Sequence, residues 1–253
     1  MKTLAGLLTC LLFFSTVSAG EGFPLREKYK GVPYIEIGDL HKEYDDVIIV
    51  DVRSKFEFDI VKINNSINIL VSKATFLKEI EKLRPRDGSK KMVFYCNGHT
   101  CKKSYQATEK ATKAGFKNVY AYDAGVFDWI KAYGDKGSLL GESPVDASKI
   151  LSKDALAVKS LDWTKFKAAA AEAGVMIIDV RDPIQREKKL GLKGTKNIPL
   201  DRVKNLVKAK KFQDKKLLIF DAVGKQVKWL HYYMEENGYK NYYFLTKGVG
   251  GAS

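Results

Sequence analysis

Two stretches of this chain repeat one another, and that repeat limits the possible folds more than any other feature. Ile48-Ile49-Val50-Asp51-Val52-Arg53 is answered by Met176-Ile177-Ile178-Asp179-Val180-Arg181, and Met92-Val93-Phe94-Tyr95-Cys96 by Leu217-Leu218-Ile219-Phe220-Asp221. A third pair, Gly115-Phe116-Lys117-Asn118-Val119-Tyr120 and Gly238-Tyr239-Lys240-Asn241-Tyr242-Tyr243, closes each half. Self-similarity at this period means two copies of one unit. The 253 residues, 45% of them hydrophobic, are enough for two packed domains. The copies differ where a strand ends, in Cys96 in the first and Asp221 in the second.

Within each copy, short apolar strands alternate with helical patterns. In the first, Val47–Val50, Met92–Tyr95 and Val119–Tyr122 read as strands; Thr75–Leu83, Lys102–Ala114 and Val126–Ala132 read as helices, with Gly115 as a C-cap. In the second, Leu161–Gly174 reads as a helix and Met176–Ile178 as a strand. Leu200–Lys208, Leu217–Phe220, Val227–Asn237 and Tyr242–Leu245 then follow the first copy's order. This alternation predicts an α/β fold of two domains, each a parallel sheet with helices on both faces. Gly134–Ser152, rich in Gly, Ser, Asp and Lys, has the composition of a linker.

Residues 1–19 carry the pattern of a secretory signal: Lys2, an apolar run from Leu4 to Phe14, and Val17-Ser18-Ala19 before the cleavage point. The run is shorter than the ~20 residues of a membrane anchor. Thr9 before Cys10 and the apolar Leu11–Phe14 after it argue against a lipidation site. The expected organisation is therefore a signal at 1–19, a first domain at 20–137, a linker at 138–152 and a second domain at 153–253. The mature protein is expected to be exported, periplasmic in a Gram-negative envelope and otherwise secreted, without stable membrane insertion.

The formal net charge of +14 is carried mainly by scattered lysines, with no Arg-rich run or nucleic-acid motif. That pattern favours small anions over nucleic acid.

Cleavage of the signal leaves two cysteines, Cys96 and Cys101, too few and too close for a disulfide scaffold. Ligands of open parallel sheets bind beyond the carboxyl ends of strands, where Cys96 is expected. The segment Cys96, Asn97, Gly98, His99, Thr100, Cys101, Lys102, Lys103 and Ser104 leads from strand to helix. Gly98 lets the backbone curl into an anion-binding nest, while the helix N-terminus and the two lysines add positive charge. All three favour a thiolate, the nucleophilic form. Cys101 is a candidate resolving thiol, and a protective disulfide between the two is the alternative. A metal site from Cys96, His99 and Cys101 lacks a fourth ligand, so no metal and no cofactor are expected. His41 and His231 read as ordinary surface or helix residues, and Trp229, Tyr232 and Tyr233 as packing.

Asp-Val-Arg after an apolar strand, Glu57-Phe58, a Cys-led loop entering a helix, Gly-Phe-Lys-Asn-Val-Tyr, and Gly125…Trp129 together resemble a rhodanese (sulfurtransferase) domain. The likeness covers residues 32–133 and, more loosely, 155–251. The resemblance implies that Cys96 takes sulfur from thiosulfate or a related anion as a persulfide and passes it to cyanide, a low-molecular-weight thiol or a protein acceptor. It also makes Asp51 and Arg53 structural supports.

Two departures stand out. The common family loop is Cys-x-x-Gly-x-Arg-Ser, whereas here Cys-x-Gly-x-x-Cys-x-x-Ser runs on to Ser104. The second copy keeps the common length but places Asp221 at the nucleophile position, so it is expected to be inactive, its carboxylate repelling anions from that mouth. In two-domain rhodaneses the inactive copy is usually the first. A phosphatase would want Arg where Lys102 stands. Two further readings are open: a thiol–disulfide redox protein using Cys96 and Cys101, and a non-catalytic sulfur carrier.

Overall fold

The computed structural model describes residues 22–252, so the expected signal at 1–19 lies outside the described residues. The first half runs α1 (Ile37–Lys42), β1 (Ile48–Asp51), α2 (Lys55–Ile60), β2 (Val61–Ile63), β3 (Ile67–Asn68), α3 (Phe76–Glu81) and β4 (Met92–Tyr95). It continues with α4 (Lys103–Lys113), β5 (Val119–Tyr122), α5 (Gly125–Ala132) and β6 (Gly137–Leu139). The second half comprises α6 (Lys153–Val158), β7 (Ser160–Leu161), α7 (Trp163–Ala170), β8 (Val175–Asp179) and β9 (Lys196–Asn197). It ends with α8 (Leu200–Lys208), β10 (Lys216–Phe220), α9 (Val227–Glu236) and β11 (Tyr242–Leu245).

Each half is built on a parallel sheet, ordered β3-β1-β4-β5 in the first and β7-β11-β10-β8-β9 in the second. A parallel bridge from Tyr34 to Ala121 stands where β7 pairs β11, so the two orders correspond. The central strands β1, β4, β8 and β10 are apolar over most of their length because both faces are covered. Along β4, Met92 and Phe94 pack with Phe76, Ile80, Ala107 and Ala111 of α3 and α4. Val93 and Tyr95 face the opposite way, toward Leu40, Ile60, Trp129 and Ile130 of α1, α2 and α5. That second cluster continues into the other half through Val203, Val207, Leu230 and Tyr233 of α8 and α9. Phe56 against Tyr233 and Phe127 stacked on Trp229, with ring centroids 5.8 and 5.9 Å apart, make the junction.

The structure modifies the sequence reading in three places. Residues 137–139, at the edge of the expected linker, form β6, which pairs antiparallel with β2. Trp129 Nε1 donates to the Lys136 carbonyl at 3.0 Å just before it. The helix expected at Leu161–Gly174 is confined to Trp163–Ala170, because Asp162 caps it by accepting from the Lys165 amide and Leu161 belongs to β7. His231 is a core residue of α9, 2% exposed; its Nδ1 lies 2.9 Å from the Tyr242 hydroxyl, whose proton goes to Glu235.

Trp129 is fully buried, stacked with Tyr44 and edge-on to Tyr122. Trp129→Ala is expected to cost about 3–5 kcal/mol, by lost burial plus an uncollapsed cavity. Val158→Ala, at a site 72% exposed, should lie within about 0.5 kcal/mol of the parent. Denaturant midpoints of the two variants check both.

Candidate functional site

Cys96 follows directly on β4, at the carboxyl end of the sheet, and the register pairs Asp51 of β1 with Tyr95 beside it. Asp51 and Arg53 are both fully buried. The Arg53 amide and Nε reach Asp51 Oδ1 at 2.9 and 3.0 Å, and Arg53 Nη2 reaches Oδ2 at 2.6 Å. The same guanidinium donates to the Val61 carbonyl at 2.6 Å and to Asn97 Oδ1 at 3.0 Å. Asn97, the residue after Cys96, donates onward to Glu57 at 3.1 Å. Glu57 belongs to a capping box with Ser54 at the start of α2 and lies 3.5 Å from Lys103 Nζ.

The turn itself is set by two glycines. Gly98 has φ +153°, and the Cys101 amide donates to its carbonyl at 2.7 Å. Gly125 has φ +73° and packs so closely on Asn97 and Gly98 that a side chain would meet their backbone. The Val126 amide closes this contact by donating to the Cys96 carbonyl at 3.0 Å. The amides of Gly98, His99 and Thr100 donate to no protein acceptor among the described residues. His99 is half-buried, because Phe23 stacks on its ring at 4.2 Å, Nδ1 contacts the Gly22 carbonyl and Nε2 lies 2.7 Å from Asp128. Thr100 and Lys102 are exposed, and Lys103 begins α4.

Cys96 is 1% exposed, with Ser104 Oγ 3.8 Å from its sulfur. It is disulfide-bonded to Cys101, their Cα atoms 6.3 Å apart. Cys101 is half-buried and lines a cleft of about 890 Å³ between the two halves, whereas Cys96 does not reach it. Lys55, Lys103, Lys153, Lys225 and Lys228 line this cleft against Glu57, Asp182 and Asp201. Trp229, read as packing, stacks on Phe127 and with it also lines the cleft. Among the described residues no group of three or more His, Cys, Asp or Glu could hold a metal ion, and no helix is long and apolar enough to cross a membrane.

The second half repeats the frame. The Arg181 amide and Nε reach Asp179 Oδ1 at 3.1 and 2.9 Å, and the Val249 amide donates to the Asp221 carbonyl at 2.9 Å, as Val126 does to Cys96. Gly248 presses on the Asp221 turn as Gly125 presses on its own. Asp221 does not stand in the mouth repelling anions. It is 1% exposed and turned inward, accepting from the amides of Val223 (2.9 Å), Gly224, Gln226 (2.6 Å) and Val227 (3.1 Å). A ring of inward amides demands an anion, and this one is filled by the chain's own carboxylate.

A rhodanese-like domain model matches residues 36–132. Thiosulfate:glutathione sulfurtransferase of Saccharomyces cerevisiae is 32% identical over 104 residues, which span 38% of this chain and 73% of that protein. The chain belongs to the rhodanese family. A tRNA uridine(34) hydroxylase of Hamiltonella defensa is 30% identical over 100 residues, but only 26% of that protein is covered. Among solved structures, a rhodanese-related protein of Thermoplasma volcanium is 31% identical, with a TM-score of 0.34, over 40% of this chain and 93% of that one. Thiosulfate sulfurtransferase of Pseudomonas aeruginosa is 20% identical, with a TM-score of 0.39, over 87% of this chain and 44% of that one. The residues at this site that sequence reasoning passed over are Ser54, Asp128 and Phe23. Only Ser54 had a local signal, the Ser-x-x-Glu spacing to Glu57.

Burial alone would raise the Glu57 pKa, but Lys103, Arg53 and the bonds from Ser54 and Asn97 outweigh it and hold the carboxyl below its ordinary value. The stabilisation is present above the unfolded glutamate pKa, about 4.3, and is lost as pH falls through the lower folded value. Glu57→Gln should therefore flatten the acid side of the stability–pH profile below about pH 4.3, as read from unfolding at stepped pH. Asp221→Ala leaves four amides without their acceptor and should cost about 3 kcal/mol or more, measured as a shift in denaturant midpoint.

Proposed function

We propose that the first half is the working sulfurtransferase unit and that Cys96, in its reduced form, is the nucleophile. The thiolate attacks the outer sulfur of thiosulfate or a related sulfane anion, the S–S bond of the donor breaks, and sulfite leaves with the bonding pair. Cys96 then holds the transferred sulfur as a persulfide, which a thiophilic acceptor (cyanide, a low-molecular-weight thiol or a protein thiol) removes to regenerate the thiolate. Asn97–Ser104 form the anion-binding loop in this reading, and Asp51 and Arg53 support it. The observation that carries it is the position of Cys96 between the end of β4 and the 11-residue helix α4, within the segment matched by the family model. The uncommitted amides of Gly98, His99 and Thr100 and the positive end of α4 favour a bound anion there. The activity for which the yeast relative is named supports thiosulfate as donor and a thiol as acceptor.

The second half, with Asp221 at the matching position, is assigned a non-catalytic role as one wall of the cleft, in a tandem arrangement of two rhodanese-like units. The lysine excess and the pattern at 1–19 support an exported protein that attracts small anions. A second reading, a thiol–disulfide redox protein, is favoured by the Cys96–Cys101 bond.

The test is mass spectrometry of the reduced protein after exposure to thiosulfate, with cyanide as acceptor in a parallel turnover assay. A gain of one sulfur atom on the Cys96 peptide and thiocyanate formation are expected, and Cys96→Ala should lose both. Thiocyanate formation by Cys96→Ala at the parental rate would sink the assignment.

A further inference from the structure

Two sulfurs that bond across this loop have opposite surroundings. Cys96 is 1% exposed beneath the turn, while Cys101 is half-buried and opens onto the cleft between the halves. Their Cα separation of 6.3 Å is inside the range a disulfide spans. The Cys101 amide is held to the Gly98 carbonyl, so the second thiol is anchored within the same turn as the first. Any sulfur carried on Cys96 is therefore within reach of an internal thiol before an external acceptor arrives.

We infer that the protein releases its transferred sulfur as sulfide, by closure of Cys101 onto Cys96. This rests on the persulfide reading above and adds a reductive half-reaction to it. The Cys101 thiolate attacks Sγ of Cys96, the Sγ–S bond of the persulfide breaks, and the terminal sulfur departs as HS⁻. The step balances: Cys101–S⁻ and Cys96–S–SH give the disulfide and HS⁻. The two cysteine sulfurs are oxidised, and the sulfane sulfur is reduced to sulfide. The disulfide that this step would form is the bond the structure places between Cys96 and Cys101.

Reopening needs a reductant, and the cleft admits one by chemical class: a small anionic thiol. Its thiolate attacks Cys101, the sulfur that faces the cleft, giving RS–S–Cys101 and freeing the Cys96 thiolate. A second thiolate removes RS as RSSR. Lys225 and Lys228 from the second half, with Lys153, provide the positive wall that favours an anionic thiol over a neutral one. The Asp221 half thereby contributes to a reaction it does not catalyse.

The experiment uses the full chain, pre-reduced and freed of reductant, mixed with thiosulfate in the absence of other thiols. The parent should release about one equivalent of sulfide in a single burst and end as the Cys96–Cys101 disulfide. Cys101→Ser and Cys101→Ala should release no sulfide above the protein-free control and should retain the added sulfur on the Cys96 peptide. Added glutathione should turn the parent's burst into continuous sulfide release, and Lys225→Glu with Lys228→Glu should raise the glutathione concentration needed for half-maximal rate. A parent that keeps its persulfide and releases no sulfide overturns this inference while leaving the transfer reading intact. Absence of added sulfur from Cys96 in the two Cys101 variants overturns both.

Discussion

The guanidinium of Arg53, with no exposed surface, holds three parts of the chain together at the carboxyl end of the first sheet. It pairs with Asp51 at the end of β1, caps the Val61 carbonyl where α2 passes into β2, and fixes Asn97 in the turn after Cys96. Its face lies 5.7 Å from the Trp229 ring of the other half. A buried arginine is tolerated only when its donors are matched, and here the matching groups come from segments that would otherwise move independently. The planar fork explains why the position is Arg, since it grips the carboxylate through two nitrogens while still reaching a carbonyl and an amide oxygen. Loop, sheet and the junction between the halves are thus coupled through one side chain.

The second copy shows which part of this device is general and which is particular. Asp179 and Arg181 repeat the ion pair, and the backbone bonds at strand ends repeat as well. Arg181, however, turns its remaining donors to the carbonyls of Gln185 and Lys188, away from the Asp221 turn. That turn needs no external support, because its own carboxylate binds four of its amides. In the first copy a buried sulfur takes the carboxylate's place and cannot satisfy those amides, so the loop is held from outside by Arg53, Glu57 and the His99 contacts. A turn meant to receive an anion from solution must be held in shape by something other than that anion.

Much of the fold was legible because both faces of each central strand are buried, which leaves four-residue apolar runs such as Met92–Tyr95 without a polar break. Helices with local stop and start signals were equally readable: α8 has its expected bounds, and Gly115 follows α4. The two-residue strands β3, β7 and β9 are too short to show a period, and their strand character comes wholly from partners already in the sheet. β6 was hidden for the same reason, since Gly137-Ser138-Leu139 has a loop's composition until β2 lies beside it. The Cys96 turn was visible as a motif of residue types, but the fate of His99, His231 and Trp229 was not. Each is decided by a residue far away in sequence or on another element: Phe23, Tyr242 and Phe127.

The two extra positions of the Cys96 turn connect these points. A shorter turn would run straight into its helix, as Asp221 runs into α9 six positions on. The longer one reaches sideways: His99 extends to Gly22 and Asp128, and Cys101 reaches the cleft. A carbonyl and a carboxylate both accept, so His99 makes both contacts as hydrogen bonds only when both ring nitrogens carry protons. Loosening either contact would free the part of the turn that carries Cys101, while Asn97 remains held by Arg53 and Glu57. The extension therefore divides the turn into a fixed portion around the buried sulfur and a tethered portion around the accessible one. Two thiols five residues apart can then differ in reactivity because only one of them faces the cleft.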